Sequence, residues 1–159
     1  MIAETQAYRF ALQQRELIDE FSRKTYLAKS RAEYIKVARA VFEIMLSEQR
    51  QNYRKMGVEV LGAAMSDKTV ATRIDESIKE SARLGAPAIK YAQARGWISD
   101  NFDAETFLVY IPGLSNARIN VELTTENPVR SEWDKIAVCS LCLFIGIPEP
   151  KNAKRKKIF

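Results

Sequence analysis

The spacing of apolar and polar residues along the chain predicts six helices and no strand. Apolar residues recur every three or four positions over long stretches, which is the period of an amphipathic helix. The six predicted helices cover about residues 4–23, 30–47, 49–65, 67–95, 104–123 and 128–146. In the first helix, the apolar stripe begins with Tyr8 and Leu12. It continues through Ile18 or Phe21, whereas Gln14 falls on the polar outer face. The chain is therefore predicted to be all-α, a six-helix bundle.

Several predicted helix ends carry residues that can satisfy free backbone groups. Ser30 and Glu33 have the spacing of a capping box, in which hydroxyl and carboxylate bond to each other's backbone N–H. Asp67 and Asp103 each precede an apolar periodic stretch and are predicted to cap its first turn. Gly96 follows the fourth helix and offers the left-handed backbone conformation that closes a helix.

Proline and glycine inside the helical stretches predict weak points. Pro87 lies within the fourth helix, and Pro112 and Gly113 lie within the fifth. Each proline should kink or interrupt its helix, because it lacks an N–H and its ring displaces the carbonyl four residues earlier. Gly57 and Gly62 weaken the third helix by up to about 1 kcal/mol each relative to alanine. Broken helices pack less closely, so these features favour a cavity within the bundle.

Length and composition indicate one cytoplasmic domain with a basic tail. The 159 residues, 47% of them apolar, are enough to bury a substantial core. The chain has no apolar run of the roughly 18–20 residues that a membrane span needs, and no secretory signal. Its two cysteines then favour a reducing compartment. Five lysines and arginines within residues 151–159 account for the net charge of +5. We expect a helical domain at residues 1–150 and a flexible basic tail at 151–159, with non-specific attraction to a polyanion as the alternative for the tail.

The absence of histidine limits the chemistry that the chain can perform. It excludes Ser-His-Asp and Cys-His catalysis and any zinc site that requires imidazole. Cys139 and Cys142 have the spacing of a redox or metal pair, but they lie deep in an apolar helix with no second pair. That setting favours inert, buried thiols. We expect no enzyme, no metal and no cofactor, although carboxylate-only or lysine chemistry, which has no signature here, stays open.

Large apolar and aromatic side chains in the first five helices are candidates for the wall of a ligand cavity. Plain core packing is the favoured explanation of any single one, but together they suit a small apolar molecule. Asn116 and Arg118 are polar residues on an otherwise apolar helix, and a ligand could be their partner if they are buried. We expect a cavity bounded by helices one, two, four and five. The candidate ligand-binding residues are Tyr8, Leu12, Phe42, Met45, Tyr53, Met56, Ile78, Phe107, Ile111 and Asn116.

The last two predicted helices carry more apolar surface than packing against one side of the core can bury. An apolar face that a monomer cannot bury usually meets a partner. We therefore expect a homodimer in which these helices and their symmetry copies form a four-helix bundle, with complete burial in the monomer as the alternative. The candidate interface residues are Leu108, Ser115, Ile119, Trp133, Ile136, Ala137, Ser140, Leu141 and Phe144. A charge placed at Ile136 or Leu141 should split the dimer.

The order and lengths of the predicted helices resemble the C-terminal ligand-binding domain of TetR-family transcription regulators. The points of likeness are residues 94–98 (Ala-Arg-Gly-Trp-Ile), residues 103–105 (Asp-Ala-Glu) and residues 144–147 (Phe-Ile-Gly-Ile). The resemblance covers about residues 4–148. It implies an effector cavity in the helical body and dimerisation through the final two long helices. A bound effector would shift paired DNA-reading heads between two arrangements.

The family's N-terminal helix-turn-helix domain has no counterpart before Tyr8, which departs from the family pattern. We expect a homodimerising domain that binds a small apolar effector in a TetR-like regulator, with DNA contacted only through an absent N-terminal domain. The chain would be a fragment of a longer regulator or a stand-alone relative. The alternative is a helical protein–protein adaptor without a small-molecule ligand. A cofactor-dependent helical enzyme is a third hypothesis, which the lack of histidine disfavours.

Overall fold

The structure, a computed structural model, describes residues 2–123 and 127–147, with side chains for residues 5–123 and 128–147. The helices are α1 (Ile2–Leu27), α2 (Arg31–Leu46), α3 (Gln51–Ala64), α4 (Lys68–Ala94), α5 (Ala104–Ala117), α6 (Ile119–Glu122) and α7 (Asn127–Phe144). Six of them have 14 residues or more, α6 is a single turn, and no strand occurs in these ranges. The all-α, six-helix prediction is confirmed. The predicted boundary at residue 150 and the basic tail at 151–159 lie outside the described residues.

The predicted helix caps form hydrogen bonds with the backbone. Ser30 Oγ accepts from the Glu33 N–H at 3.2 Å as predicted, whereas the Glu33 carboxylate accepts from the Lys29 N–H at 2.8 Å instead of the Ser30 N–H. At the start of α5, Asp103 Oδ1 accepts from both the N–H and the hydroxyl of Thr106, each at 2.7 Å. These two hydrogen bonds hold the pKa of Asp103 below its usual value, because they favour the charged carboxylate. The boundaries of α2 and α5 follow from these contacts.

Two helices end in the same glycine-closed turn. Gly96 has a φ of +65° and Gly146 a φ of +76°, which is the left-handed region that glycine adopts without a steric cost. At the first turn, the Trp97 N–H donates to the Ala92 carbonyl at 3.0 Å, as in a Schellman motif. The turn predicted at Gly96 is thus confirmed.

Arg31 joins the two glycine-closed turns to the start of α2. Its Nε donates to the Trp97 carbonyl at 3.1 Å, and its Nη2 donates to the Gly146 carbonyl at 2.8 Å. A backbone hydrogen bond of 2.9 Å from Ser99 to Ile145 connects the same two turns. These bonds satisfy carbonyls that helix ends leave without a partner. They fix the end of α7 against the end of α4.

The predicted interruption of the fifth helix does not occur at its proline. α4 continues through Pro87 and α5 continues through Pro112, so each helix tolerates the loss of one N–H donor. The fifth predicted helix divides instead at Arg118, whose N–H donates to the Ser115 carbonyl three residues earlier. The interruption expected at Pro112 and Gly113 is therefore wrong. The tighter turn at Arg118 separates α5 from α6.

The buried face of α1 differs from the predicted one. The buried positions lie three or four residues apart and are Ala7, Phe10, Gln14, Ile18, Phe21 and Thr25. Tyr8 is 70% exposed and Leu12 is exposed as well, so their assignment to the core stripe is wrong. The assignment of Gln14 to the outer face is also wrong. Polar Gln14 and Thr25 occupy the buried stripe, and for this reason the apolar pattern of the sequence does not reveal it.

The core consists of two apolar clusters. The larger one draws on α1, α2, α4, α5 and the end of α7, and the smaller one lies between α1, α3 and the first half of α4. Close packing of α4 against α5 depends on Gly85, since a Cβ there would lie 2.8 Å from a methyl carbon of Leu108. The larger cluster surrounds the candidate site.

Candidate functional site

An apolar cavity lies in the larger core cluster, between α1, α2, α4 and α5. These are the four helices that the sequence predicted as its boundaries. Tyr53 of α3 and Arg50 of the preceding 3₁₀ turn complete the wall. Five of the candidate ligand-binding residues line this cavity, and they are Phe42, Met45, Tyr53, Phe107 and Ile111. The structure thus brings half of the predicted set together around one space.

The cavity is small, and its walls are mostly apolar. Its volume is about 70 Å³, whereas an ordered water needs roughly 10–15 Å³ on the same kind of measure. It therefore has space for a few water molecules, less than half of the roughly 150 Å³ that takes benzene, and an organic ligand would require the aromatic walls to move. Leu17, Arg50 and Pro112 belong to the wall but are only half-buried, so the cavity meets the surface beside them.

Gln14 is a buried polar side chain on the cavity wall. It is only 5% exposed, and its Oε1 accepts no hydrogen bond from any described residue. Most buried polar atoms in proteins have a partner, so this amide is available to a bound molecule. Sequence reasoning missed it because a glutamine was assigned to the polar face. Its spacing of four residues from both Phe10 and Ile18 is the signal that could have found it.

Arg50 and Tyr53 form a charged end of the cavity. The guanidinium carbon of Arg50 lies 4.1 Å from the centroid of the Tyr53 ring, within the range of a cation–π interaction. The same ring stacks on Phe10, with centroids 4.7 Å apart. Burial raises the pKa of Tyr53 to about 12, despite the lowering effect of the Arg50 charge. Burial also raises the pKa of Tyr34, another wall residue. Both phenols are therefore neutral at physiological pH.

Four other candidate ligand-binding residues lie away from the cavity. Tyr8 and Leu12 face a surface groove between α1 and α4, because α1 presents its opposite side to the core. Met56 and Ile78 pack against the smaller core cluster. The structure does not bring these four residues to the predicted cavity.

Asn116 and Arg118, the two polar residues noted on the fifth helix, have different surroundings. Asn116 Oδ1 is buried without a hydrogen-bond partner among the described residues, and it lies 3.0 Å from where a Cβ on Gly57 would be. It therefore faces α3 and is not part of the cavity wall. Arg118 is buried but donates to both carboxylate oxygens of Asp134, at 2.6 and 2.9 Å. Because protein groups satisfy Arg118, the suggestion of a ligand as its partner is corrected.

A buried ion network joins α3, α6 and α7, and sequence reasoning missed it. Arg54 is 0% exposed and donates to Glu122 Oε1 from Nε at 2.9 Å. It also donates to two carbonyls at the end of α2, at 2.8–2.9 Å. Glu122 Oε1 accepts a further hydrogen bond from Arg118, which pairs with Asp134 of α7. The spacing of four residues between Arg118 and Glu122, in an apolar stretch, is the available signal.

Four of the candidate interface residues are buried within the chain itself. They are Leu108, Ser115, Ala137 and Leu141, the last only 2% exposed. The hydroxyl of Ser115 donates to the Met45 carbonyl at 3.1 Å, inside the subunit. These four residues have almost no surface left for a partner. A charge at Leu141 would disrupt the core, so that part of the sequence-based expectation is corrected.

The other interface candidates keep surface that a partner could cover. Ile119 and Trp133 are half-buried, and Ile136, Ser140 and Phe144 are exposed. Ile136 is 65% exposed, which is unusual for an isoleucine in a helix that packs against a core. Their role in a dimer interface stays a prediction.

Several apolar residues of α7 and Tyr110 of α5 are exposed, and we call them together the α5–α7 face. On α7 it consists of Val129, Ile136 and Leu143, spaced seven residues apart, together with Phe144. The ring of Phe144 lies 6.4 Å from that of Tyr110 on α5, and both side chains are exposed. A groove between the two rings continues the face towards the start of α5. The face is therefore larger than any single exposed side chain.

The two cysteines show no reactive geometry. Cys142 is buried and Cys139 half-buried, and neither forms a disulfide. Burial raises the pKa of Cys142, so its thiol is protonated at neutral pH. Within residues 5–123 and 128–147, no three His, Cys, Asp or Glu side chains are placed to bind one metal ion.

In the described ranges, no helix combines the length and the apolarity that crossing a membrane requires.

Comparison with known proteins adds no relative. The chain matches no family model, no curated protein and no solved structure. The resemblance to the TetR C-terminal domain is therefore a prediction from the sequence alone.

Proposed function

We propose that this chain is the effector-binding and homodimerisation domain of a TetR-like transcription regulator, in which a separate domain contacts DNA. The observation that carries the proposal is the apolar cavity, with the unpaired amide of Gln14 on its wall. Small-molecule sites are concave and mostly apolar, with a few placed polar groups that orient the ligand. This cavity has that composition, and its molecular occupant would be a small apolar effector.

The contacts between the cavity and α7 support a regulatory role. Met45 and Ser115 both line the cavity, and the Ser115 hydroxyl donates to the Met45 carbonyl. The same carbonyl accepts from Arg54 at 2.9 Å, and Arg54 begins the ion network that reaches Asp134 of α7. A ligand that shifts the backbone at Met45 would therefore disturb the Arg54 bond through which this network reaches α7. Coupling of this kind between two sites is what allosteric regulation requires.

The α5–α7 face supports self-association. Val129, Ile136 and Leu143 repeat every seven residues and are exposed, so they place an apolar stripe along α7 that pairing with another helix would bury. Such a stripe matches a second copy of itself about a two-fold axis, which gives a closed dimer. The occupant that we propose for this face is therefore another molecule of the same chain.

Filling the cavity tests the effector proposal. Ala38 is buried and lines the cavity, so Ala38→Leu would place a larger side chain in the space of the ligand. Compounds that raise the melting temperature of the wild type should lose that effect in this variant. Ala71→Leu adds the same bulk at a half-buried position of α4 outside the cavity and should keep the effect. A thermal-shift screen with calorimetry on the hits measures it. Equal stabilisation of Ala38→Leu would contradict the proposal.

The second candidate function is a protein–protein adaptor, which the same exposed α5–α7 face favours. Size-exclusion chromatography with light scattering separates the two. A stable homodimer of the purified chain supports the regulator. A monomer that associates only with a different protein supports the adaptor.

A further inference from the structure

The geometry points to a small organic acid as the occupant of the cavity: an apolar body that carries one carboxylate. This inference rests on the proposed function, because it names the class of effector that the same cavity takes. It depends on the positive charge of Arg50, on the unpaired amide of Gln14, and on the apolar character of the remaining wall.

Arg50 gives the cavity a positive end. Of the described residues that line the cavity, Arg50 alone is charged at neutral pH. None of the described carboxylates lies within 4.0 Å of its guanidinium, since every ion pair among them involves other cations. The guanidinium carbon of Arg50 lies 4.1 Å from the centroid of the Tyr53 ring, and a guanidinium has five N–H donors, more than its contact with one phenol can use. A carboxylate accepts two parallel hydrogen bonds from such a group.

Gln14 adds a second polar group to the cavity wall. It lies one helical turn after Phe10 on α1, and Phe10 stacks on the Tyr53 ring, against which Arg50 also lies. An amide has both donors and an acceptor, and half a rotation about its last bond exchanges them. Gln14 can therefore present either a donor or an acceptor to a ligand in this cavity, since its Oε1 has no hydrogen bond from a described residue.

The remaining wall limits the ligand to a single polar group. It is built from aliphatic and aromatic side chains such as Phe42, Phe107 and Ile111. The hydroxyl of Ser115 already donates its hydrogen bond to the Met45 carbonyl. A second charge or several hydroxyls would be buried without partners, which is costly. With a volume of about 70 Å³, the cavity takes at most a body on the order of one ring or a short chain, and only when its wall side chains move apart.

Three probes of similar shape and different charge test this inference: benzoate, benzamide and benzylamine. Isothermal titration calorimetry with the full chain at neutral pH gives their dissociation constants. We expect benzoate to bind about five- to tenfold more tightly than benzamide, because hydrogen bonds to charged groups are stronger than neutral ones. We expect no detectable binding of benzylamine, which the Arg50 charge repels. Hexanoate, hexanamide and hexylamine give the same order for an aliphatic body.

Substitution of Arg50 shows whether the preference comes from this residue. Arg50→Gln removes the charge and should weaken benzoate binding about five- to tenfold while leaving benzamide binding within about twofold. Arg50→Lys restores the charge and should recover part of the preference. Arg83→Gln removes an exposed arginine from α4 and should change neither affinity. Circular dichroism of each variant checks that the fold is retained.

The outcomes separate this inference from the proposed function. The organic-acid inference is overturned if benzamide or benzylamine binds as tightly as benzoate. It is also overturned if Arg50→Gln keeps the preference for benzoate. Either result leaves an effector site of different chemistry. If none of the six probes binds the wild-type chain, the organic-acid inference is overturned, whereas the effector function is decided by the comparison of Ala38→Leu with Ala71→Leu.

Discussion

Replacing Arg54 by methionine should strongly destabilise the fold. Arg54 is fully buried, and its guanidinium donates to Glu122 and to two carbonyls at the end of α2. Methionine fills a similar length but supplies no donor. The change would leave Arg118 as the remaining described partner of the Glu122 carboxylate, and it would remove the bonds that tie α3 to α2 and α6.

The expected loss follows from the cost of breaking a buried ion pair. Removing one partner of such a pair costs roughly 3–5 kcal/mol. Because Arg118 still faces Glu122, we expect the lower end, about 3 kcal/mol. Unfolding entropies of about 2.1 cal/mol/K per residue give about 0.33 kcal/mol/K for a chain of 159 residues. The melting temperature should therefore fall by about 9 °C.

Thermal and urea unfolding, followed by circular dichroism, measure this loss. The matched control is Arg15→Met, since Arg15 pairs with Glu80 across α1 and α4 at 3.4 Å with both side chains more than half exposed. An exposed pair contributes at most about 1 kcal/mol, so the control should lose no more than about 3 °C. If Arg54→Met lost no more stability than Arg15→Met, the buried network would not hold these helices together.

Three further predictions test the helix ends, the α5–α7 face and a buried phenol. Gly96→Ala should lower the free energy of unfolding in urea by about 1–2 kcal/mol, because Gly96 has a φ of +65°. Gly62→Ala in α3 should instead raise it by at most about 1 kcal/mol, and equal effects of the two changes would contradict this prediction. Ile136→Asp should give a folded monomer by light scattering and circular dichroism, whereas Leu141→Asp should unfold the chain; a dimeric Ile136→Asp would refute the interface. In the folded chain, Tyr53 keeps its proton to about pH 12. The stability that its neutral phenol contributes is therefore complete below pH 10 and is lost as the pH rises towards 12. Over this pH range, urea unfolding should show the wild type losing up to about 3 kcal/mol more stability than Tyr53→Phe. The same pH profile for both chains would refute the pKa shift.

The helix ends could be predicted from the sequence because they depend on local chemistry. Ser30, Asp103 and Gly96 act on backbone groups within a few residues of themselves, and each makes the contact expected of it. The helical period also identified the residues of α2 and α5 that line the cavity, such as Phe42 and Phe107. In both cases, the information lies within one or two helical turns.

The features that sequence reasoning missed depend on contacts between distant segments. Gln14 is buried because its face of α1 packs into the bundle, mainly against α4, and a glutamine at that position otherwise belongs to a solvent-exposed face. Arg54 and Glu122 meet across 68 positions of the chain, and no local pattern marks them as partners. For Leu141, the apolar period identified a buried stripe but could not tell whether the chain itself or a second copy covers it.

Native mass spectrometry tests the central claim most directly, because it reports subunit number and bound small molecules together. The purified chain would be incubated with the six acid, amide and amine probes in equal amounts and sprayed under native conditions. The account predicts a species of twice the 18.1 kDa subunit mass that carries one small molecule for each subunit. A monomer that carries no small molecule, whether or not the probes were added, would contradict it.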